Sequence, residues 1–326
     1  MFSVYNVLKI TVRDDAMSGK KNGKTAVKEK TRARNNSAVK SPLKKISSAT
    51  IAFVSGRMGS IFISTVAGGV EDRLKEIGGA KGTLAFHSPR NTTAEASSHE
   101  ITRIIKHKNA DAMIILSFTP DPKLLESIIK SKIPAVFIER QFKGIHSVKV
   151  DNFNGGYMAG EYLIKSGYKK PGIIIDAQTK DTGSAVYERF MGFSEVMKKS
   201  GIEIKKENMT KVDFHTIECG RHAMDSMAKR MGKVDSIFSV AGDMAAIGFM
   251  IEAKSHGIKI PRDLALMGFD DVAMAAGMEP ALTTVRQPIA GMGKKAVDII
   301  AECFSGGLKE PKNMVIDPEL IIRETV

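Results

Sequence analysis

The sequence predicts an α/β protein built on parallel sheets, because apolar runs of strand length alternate with amphipathic stretches of helix length from residue 50 onward. Ala112-Met113-Ile114-Ile115-Leu116 is apolar throughout, the pattern of a strand buried on both faces by covering helices. At 326 residues, with 43% hydrophobic and 26% charged side chains, the chain can bury a large core and has the length of about two domains.

The elements follow in order. A strand over 50–54 leads to a helix over 61–77, in which Val66, Val70 and Leu74 recur at every fourth position. Further strands are expected at 82–86, 112–116, 135–138, 172–175, 236–240 and 264–268. Helices fall between them at 95–107, 122–131, 155–166, 185–199, 218–231 and 244–256.

In open parallel sheets a ligand sits beyond the carboxyl ends of the strands, where loops and helix N-termini offer free N–H groups. The rim so defined carries Ser55, Arg57, Ser117, Phe118, Glu139, Arg140, Lys180, Asp181, Thr182, Gly242, Asp243, Asp270 and Asp271. Aromatic faces, cations and carboxylates in this mixture suit a small polar ligand.

The net charge of +13 is uneven. Residues 1–48 hold nine Lys and three Arg against Asp14, Asp15 and Glu29, a balance of +9, which leaves +4 for the other residues. A basic, Ser/Asn/Lys-rich arm can neutralise phosphates and release counterions, which points to nucleic acid; a solvated tail is the other reading. No apolar run reaches the roughly 18 residues of a spanning helix, and the first 20 residues lack a signal-peptide core. With only Cys219 and Cys303, far apart in sequence, a reducing cytoplasm is the expected setting.

Enzyme signatures fail. Gly-x-Ser-x-Gly, Gly-x-Gly-x-x-Gly and His-Glu-x-x-His are absent. The run from Gly19 to Thr25 is one residue short of a phosphate-binding loop and no apolar strand leads into it. His215, Cys219 and His222 would share a helix face as zinc ligands, yet no fourth ligand is apparent. No metal, cofactor or enzymatic activity is therefore expected. Asp270 and Asp271 are adjacent after a strand and should point apart, one toward a ligand and one into a structural hydrogen bond.

Gly268-Phe269-Asp270-Asp271, followed by Leu282-Thr283-Thr284-Val285-Arg286-Gln287-Pro288 and Met292-Gly293, resembles the C-terminal signature of LacI/GalR-type bacterial transcription regulators. The resemblance covers roughly residues 50–326. It includes Glu139-Arg140, the run Asp151-Asn152-Phe153-Asn154-Gly155-Gly156, Arg189-Phe190-Met191-Gly192-Phe193, Asp243-Met244-Ala245-Ala246 and Leu320-Ile321-Ile322-Arg323-Glu324.

This resemblance implies two doubly wound parallel-sheet lobes of periplasmic-binding-protein type, joined by three crossovers and preceded by a basic N-terminal arm. The first lobe should comprise about 50–151 plus 288–312 and the second about 152–287 plus 313–326. A small effector, sugar or nucleobase-like, should bind between the lobes, and closure should alter a homodimer on operator DNA. Carried over residue by residue, the ligand-binding set is Phe62, Arg140, Asp151, Arg189, Phe214 and Asp270. Core packing for Phe62, a helix salt bridge for Arg189 and a turn cap for Asp270 stay open. Residues 1–49 resemble an incomplete helix-turn-helix region and hinge, with Lys28, Lys30, Arg32, Arg34 and Leu43 as DNA contacts. The alternative function is a cytoplasmic small-ligand-binding protein without sequence-specific DNA binding.

Overall fold

The structure, a computed structural model, describes residues 46–56, 59–78, 82–88, 94–116, 118–230, 232–308 and 310–326. The expected DNA contacts Lys28, Lys30, Arg32, Arg34 and Leu43, and the rim residues Arg57 and Ser117, lie outside these.

Two six-stranded sheets form two lobes. The first contains β1 (Thr50–Val54), β2 (Thr83–His87), β3 (Ala112–Leu116), β4 (Ala135–Ile138), β5 (His146–Val150) and β11 (Asn313–Ile316), in the order β11-β5-β4-β3-β1-β2. The second contains β6 (Pro171–Ile175), β7 (Met209–Lys211), β8 (Ser236–Ser239), β9 (Ala265–Asp270), β10 (Thr283–Arg286) and β12 (Glu319–Ile321), in the order β12-β10-β9-β8-β6-β7. All pairings are parallel except β10 with β12, so the second sheet has one antiparallel edge that the sequence reading lacked. In each lobe the strand order reverses beside the first strand, between β1 and β3 and between β6 and β8. Ligands of such sheets bind at that reversal.

The helices are α1 (Ile61–Glu76), α2 (Ala94–His107), α3 (Pro122–Ser131), α4 (Asn152–Lys165), α5 (Ala185–Lys199), α6 (Ile217–Met227), α7 (Asp243–Ser255), the short α8 (Ala273–Ala276) and α9 (Ile289–Phe304). Alternate strand residues feed the two faces of each sheet. Ile51 and Phe53 of β1 join Ile114 of β3, Val66 and Val70 of α1 and Ile299 of α9 in one cluster. Ala52 and Val54 join Met113, Ile115, Ile104 of α2 and Leu124 of α3 in the other. The second lobe repeats the arrangement, with Ile237 among residues of α6 and α7 and Phe238 among residues of α4 and α5. Burial on both faces explains why these strands carry no polar alternation.

Helix starts are set by local chemistry. Asp121 accepts from the Leu124 N–H at 2.8 Å ahead of Pro122, and Ser184 accepts from the Tyr187 N–H at 3.0 Å. Both are short polar N-caps that satisfy an otherwise free donor.

The chain crosses between lobes three times: after β5, after β10 and between β11 and β12. Because β11 pairs in parallel with β5 in the first sheet, the last crossover lies at 317–318 and not at 312–313 as the sequence suggested. Residues 313–316 therefore belong to the first lobe. The four residues of β11 alternate between exposed and half-buried, so they lack the apolar run that marks the inner strands. Among the described residues no helix is long and apolar enough to cross a membrane.

Helices α4 and α5 approach to backbone contact. A Cβ on Gly156 would lie 1.9 Å from the Arg189 carbonyl oxygen, and one on Gly192 would lie 1.8 Å from that of Phe153. Gly156→Ala is expected to destabilise the protein by about 1–3 kcal/mol through overpacking, read as a lower urea midpoint, whereas Gly68→Ala, with nothing within 4 Å of its Cβ, should not.

Candidate functional site

The reversal between β6 and β8 places Asp176 and residues 240–242 side by side at the carboxyl ends of their strands. From α5, Arg189 reaches into this region and is buried. Its Nε donates to Asn152 Oδ1 at 2.9 Å and its Nη1 to the Val240 carbonyl at 3.3 Å. The guanidinium lies 3.8 Å from the centroid of the Phe269 ring, and Nη2 is 3.7 Å from Asp270 Oδ1. The buried cation thus has two hydrogen bonds, an aromatic face and a nearby carboxylate as partners.

Asp270 closes β9 in a positive-φ conformation, φ 114°, and Asp271 follows at φ 54°. Such backbone is uncommon outside glycine, though Asp and Asn tolerate it best. It turns the two carboxylates apart. Asp271 accepts from Arg286 Nε at 2.7 Å and from Arg323 Nη2, which ties the end of β9 to β10 and to the chain after β12. Asp270 accepts from Gln287 Nε2 and faces Arg189. Burial pushes its carboxyl above the usual range, against the opposing charge of Arg189. Gly242 is required beside it: φ is 92°, and a Cβ there would lie 2.5 Å from Asp270 Oδ2.

Asp243, the first residue of α7, is fully buried. It accepts from the Val272 N–H at 2.9 Å and the Thr284 hydroxyl at 2.6 Å. Burial first, and then the charge of Asp270, raise its carboxyl well above the ordinary value. The residue fastens α7 to β10 and to the turn after β9, and is not a rim group as the sequence reading had it.

A cavity of about 490 Å³ opens between the lobes, with Ser60 and Ile61 on one side and Asp176, Phe214, His215 and Met244 on the other. His215 Nε2 contacts Asp176 Oδ2 at 2.6 Å. Burial drives Asp176 up, but the hydrogen bond and charge of His215 and the N–H groups of Thr179 and Gln178 outweigh it and hold the carboxyl below its usual value. Phe214 is 49% exposed here, presenting its ring to the cavity. The lining carries three carboxylates, Asp176, Asp213 and Glu218, and one imidazole, His215, so it favours ligands rich in hydroxyl or N–H donors over anions.

Among the described residues two ion pairs cross between the lobes. Arg140, buried after β4, makes a bidentate contact with Asp181, and Lys149 of β5 meets Glu188 of α5 at 2.6 Å.

The structure thus joins Arg189 and Asp270 in one cluster and sets Phe214 in the neighbouring cavity. Arg140 is engaged by Asp181. Phe62 is half-buried against the core of the first lobe. Asp151 sits in the first crossover, where its carboxylate caps α4 by accepting from the Asn154 N–H at 2.9 Å. Sequence reasoning missed Asn152, Asp176, His215 and Gln287 as site residues. Asn152 stood inside a quoted motif, and its burial beside Arg189 gives it the role. His215 precedes α6 and points to Asp176, while His222 pairs with Glu218, so the imagined zinc face of His215, Cys219 and His222 does not form.

Residues 161–326 match a family model described as a periplasmic binding protein-like domain. The chain is 30% identical over 227 residues to the HTH-type transcriptional repressor PurR of Shigella dysenteriae, covering 68% of this chain and 65% of that protein's length. It is 29% identical over 252 residues to PurR of Pectobacterium carotovorum, covering 76% and 72%. Among solved structures, a complex of the transcriptional regulator CelR with cellobiose matches with a TM-score of 0.71 at 25% identity, covering 85% of this chain and 84% of that one. The lac repressor dimer bound to operator and the anti-inducer ONPF matches in fold with a TM-score of 0.74 at 17% identity, covering 90% and 99%.

The raised carboxyl of Asp243 carries a pH signature. A folded-state value above the unfolded one contributes stability below about pH 3.8 that is lost as pH rises through the folded value. Asp243→Asn keeps an acceptor for Val272 and offers Thr284 a donor, without the charge. Over that range its stability relative to the native protein should rise by about 1.4 kcal/mol per pH unit in urea titrations. A pH-independent difference would contradict the assignment.

Proposed function

We propose that this chain, which belongs to the LacI/GalR family and carries its periplasmic-binding-protein-like domain, is an effector-responsive transcriptional repressor that acts as a homodimer on operator DNA in the cytoplasm. The observation that carries the reading is the buried Arg189–Asp270 pair beside an interlobe cavity whose lining mixes Phe214 with carboxylates. The effector is a small, uncharged, donor-rich molecule, a sugar or a nucleobase. Its hydroxyl or N–H groups donate to Asp270 and Asp176, and its flat face packs on Phe214.

Arg189 fixes the Asp270 carboxylate for the ligand, with its Nε held by Asn152 and its Nη1 by Val240, and its Nη2 faces Asp270. Asp151 and Phe62 serve as supports at the crossover and on α1. The Arg140–Asp181 and Lys149–Glu188 pairs stabilise the approach of the lobes, so a ligand bridging them shifts the same equilibrium. Coupling to DNA requires the ligand to bind the two lobe geometries with different affinity, typically by about 1–3 kcal/mol. Lys28, Lys30, Arg32, Arg34 and Leu43, in the arm with a balance of +9, supply the DNA contacts, and catalysis forms no part of the role.

The test is binding of the full chain to promoter DNA from its own locus and to scrambled DNA, over a salt series, with sugars and nucleobases added. Sequence-specific binding modulated by one ligand class is expected. Asp270→Asn should keep the DNA binding and weaken the ligand response by about tenfold or more, as loss of a charge-assisted hydrogen bond does. Equal binding to both DNAs that vanishes with salt would replace the repressor with a ligand-binding protein whose arm is a polycation.

A further inference from the structure

Outside the cleft, the C-terminal turns of α6 and α7 lie side by side and bring Asp225, Glu252 and His256 together, with one ligand atom of each within 4.8 Å of the others. His256 Nε2 is 3.0 Å from Asp225 Oδ1 and 4.0 Å from Glu252 Oε1. These spacings bracket the roughly 3–3.5 Å that separates neighbouring ligand atoms around an ion with bonds of about 2.1 Å.

Three further features favour a cation here. The carboxylates stand in the last turns of two helices, where the macrodipoles already place negative charge, so Asp225 and Glu252 run against the usual preference and call for a positive partner. A neutral His256 with its Nε2 lone pair toward two carboxylate oxygens would be repelled by both, so that nitrogen carries a proton or meets a metal. The frame is also preset. A Cβ on Gly220 would lie 2.1 Å from the Ala245 carbonyl oxygen and one on Gly248 2.0 Å from that of Ile217, which fixes the spacing of α6 and α7. Arg221 holds Glu252 Oε2 at 2.6 Å and Ser255 donates to Oε1 at 2.6 Å, orienting the carboxylate as outer-shell groups orient metal ligands.

We propose that Asp225, Glu252 and His256 form a divalent transition-metal site that clips the ends of α6 and α7 together on the outside of the second lobe. Binding breaks the Nε2–H bond of His256, releases that proton to solvent and forms a metal–nitrogen bond. One imidazole with two carboxylates suits zinc and its neighbours better than magnesium or calcium, which take all-oxygen shells. Asp225 and His256 are exposed enough at 54% and 36% to leave the remaining positions to water, which makes the site exchangeable rather than a closed structural centre.

The experiment is calorimetric titration of the full chain with zinc alone, paired with thermal melting and circular dichroism. The native protein should bind zinc at a site whose affinity falls about tenfold or more in His256→Ala and in Asp225→Asn, and zinc should raise its melting temperature but not theirs. His222→Ala, on the same helix but outside the cluster, should retain the site. Arg221→Gln, which removes the donor that orients Glu252, should bind zinc less tightly than the native protein. Equal zinc binding by the native, His256→Ala and Asp225→Asn proteins, or no binding by the native protein, would overturn the proposal.

Discussion

One buried cation organises the end of the second lobe at the carboxyl ends of its strands. The guanidinium of Arg189 cannot be left in the interior without partners, since an uncompensated buried charge costs several kcal/mol. Its four partners come from three places in the chain: Asn152 at the start of α4, the carbonyl of Val240 after β8, and the Phe269 ring and Asp270 carboxylate at the end of β9. Satisfying it fixes where α5 lies against α4, where the first crossover enters the lobe and how Asp270 is aimed. The glycines at 156 and 192 permit the close helix approach that brings Arg189 within reach.

Around this cluster the two lobes meet through contacts of a different kind. The crossovers fix their connection, while the buried Arg140 with Asp181, and the part-buried Lys149 with Glu188, add charge pairs between them. A well-partnered cluster in one lobe and separate ion pairs between lobes are what the proposed response to a ligand requires. Deeply satisfied groups such as Asp243 and Asp271 hold the second lobe together.

The sequence made the inner architecture legible because burial on both faces writes itself as apolar runs. The strands at 112–116 and 135–138 and the helices at 122–131 and 185–199 coincide with the expected ones to the residue. β7, β11 and β12 escaped because they are edge strands of three or four residues without a continuous apolar run: β11 and β12 mix exposed and half-buried positions, and the buried centre of β7 is the polar Thr210. The last crossover was misplaced for the same reason. β5 and the inner strand β10 escaped because polar residues interrupt their apolar patterns, His146 and Lys149 in the first and Thr283, Thr284 and Arg286 in the second. Within the site, Arg189 and Asp270 were found through their motifs, but Asp176 and His215 are 39 residues apart and meet only through the sheet topology. The cap at Asp151 carried a local signal, an Asp immediately before a helix, that competed with the ligand role.

The most direct test of this account is a double-mutant cycle on Arg189→Met and Asp270→Asn, with stability read by urea unfolding of all four proteins. If the buried cation and the β9 carboxylate form one cluster, the two changes should couple by about 1–2 kcal/mol, with the second costing much less once the first is made. Additivity within about 0.3–0.5 kcal/mol would mean that Asp270 owes neither its position nor its charge state to Arg189, and the account would fail at its centre.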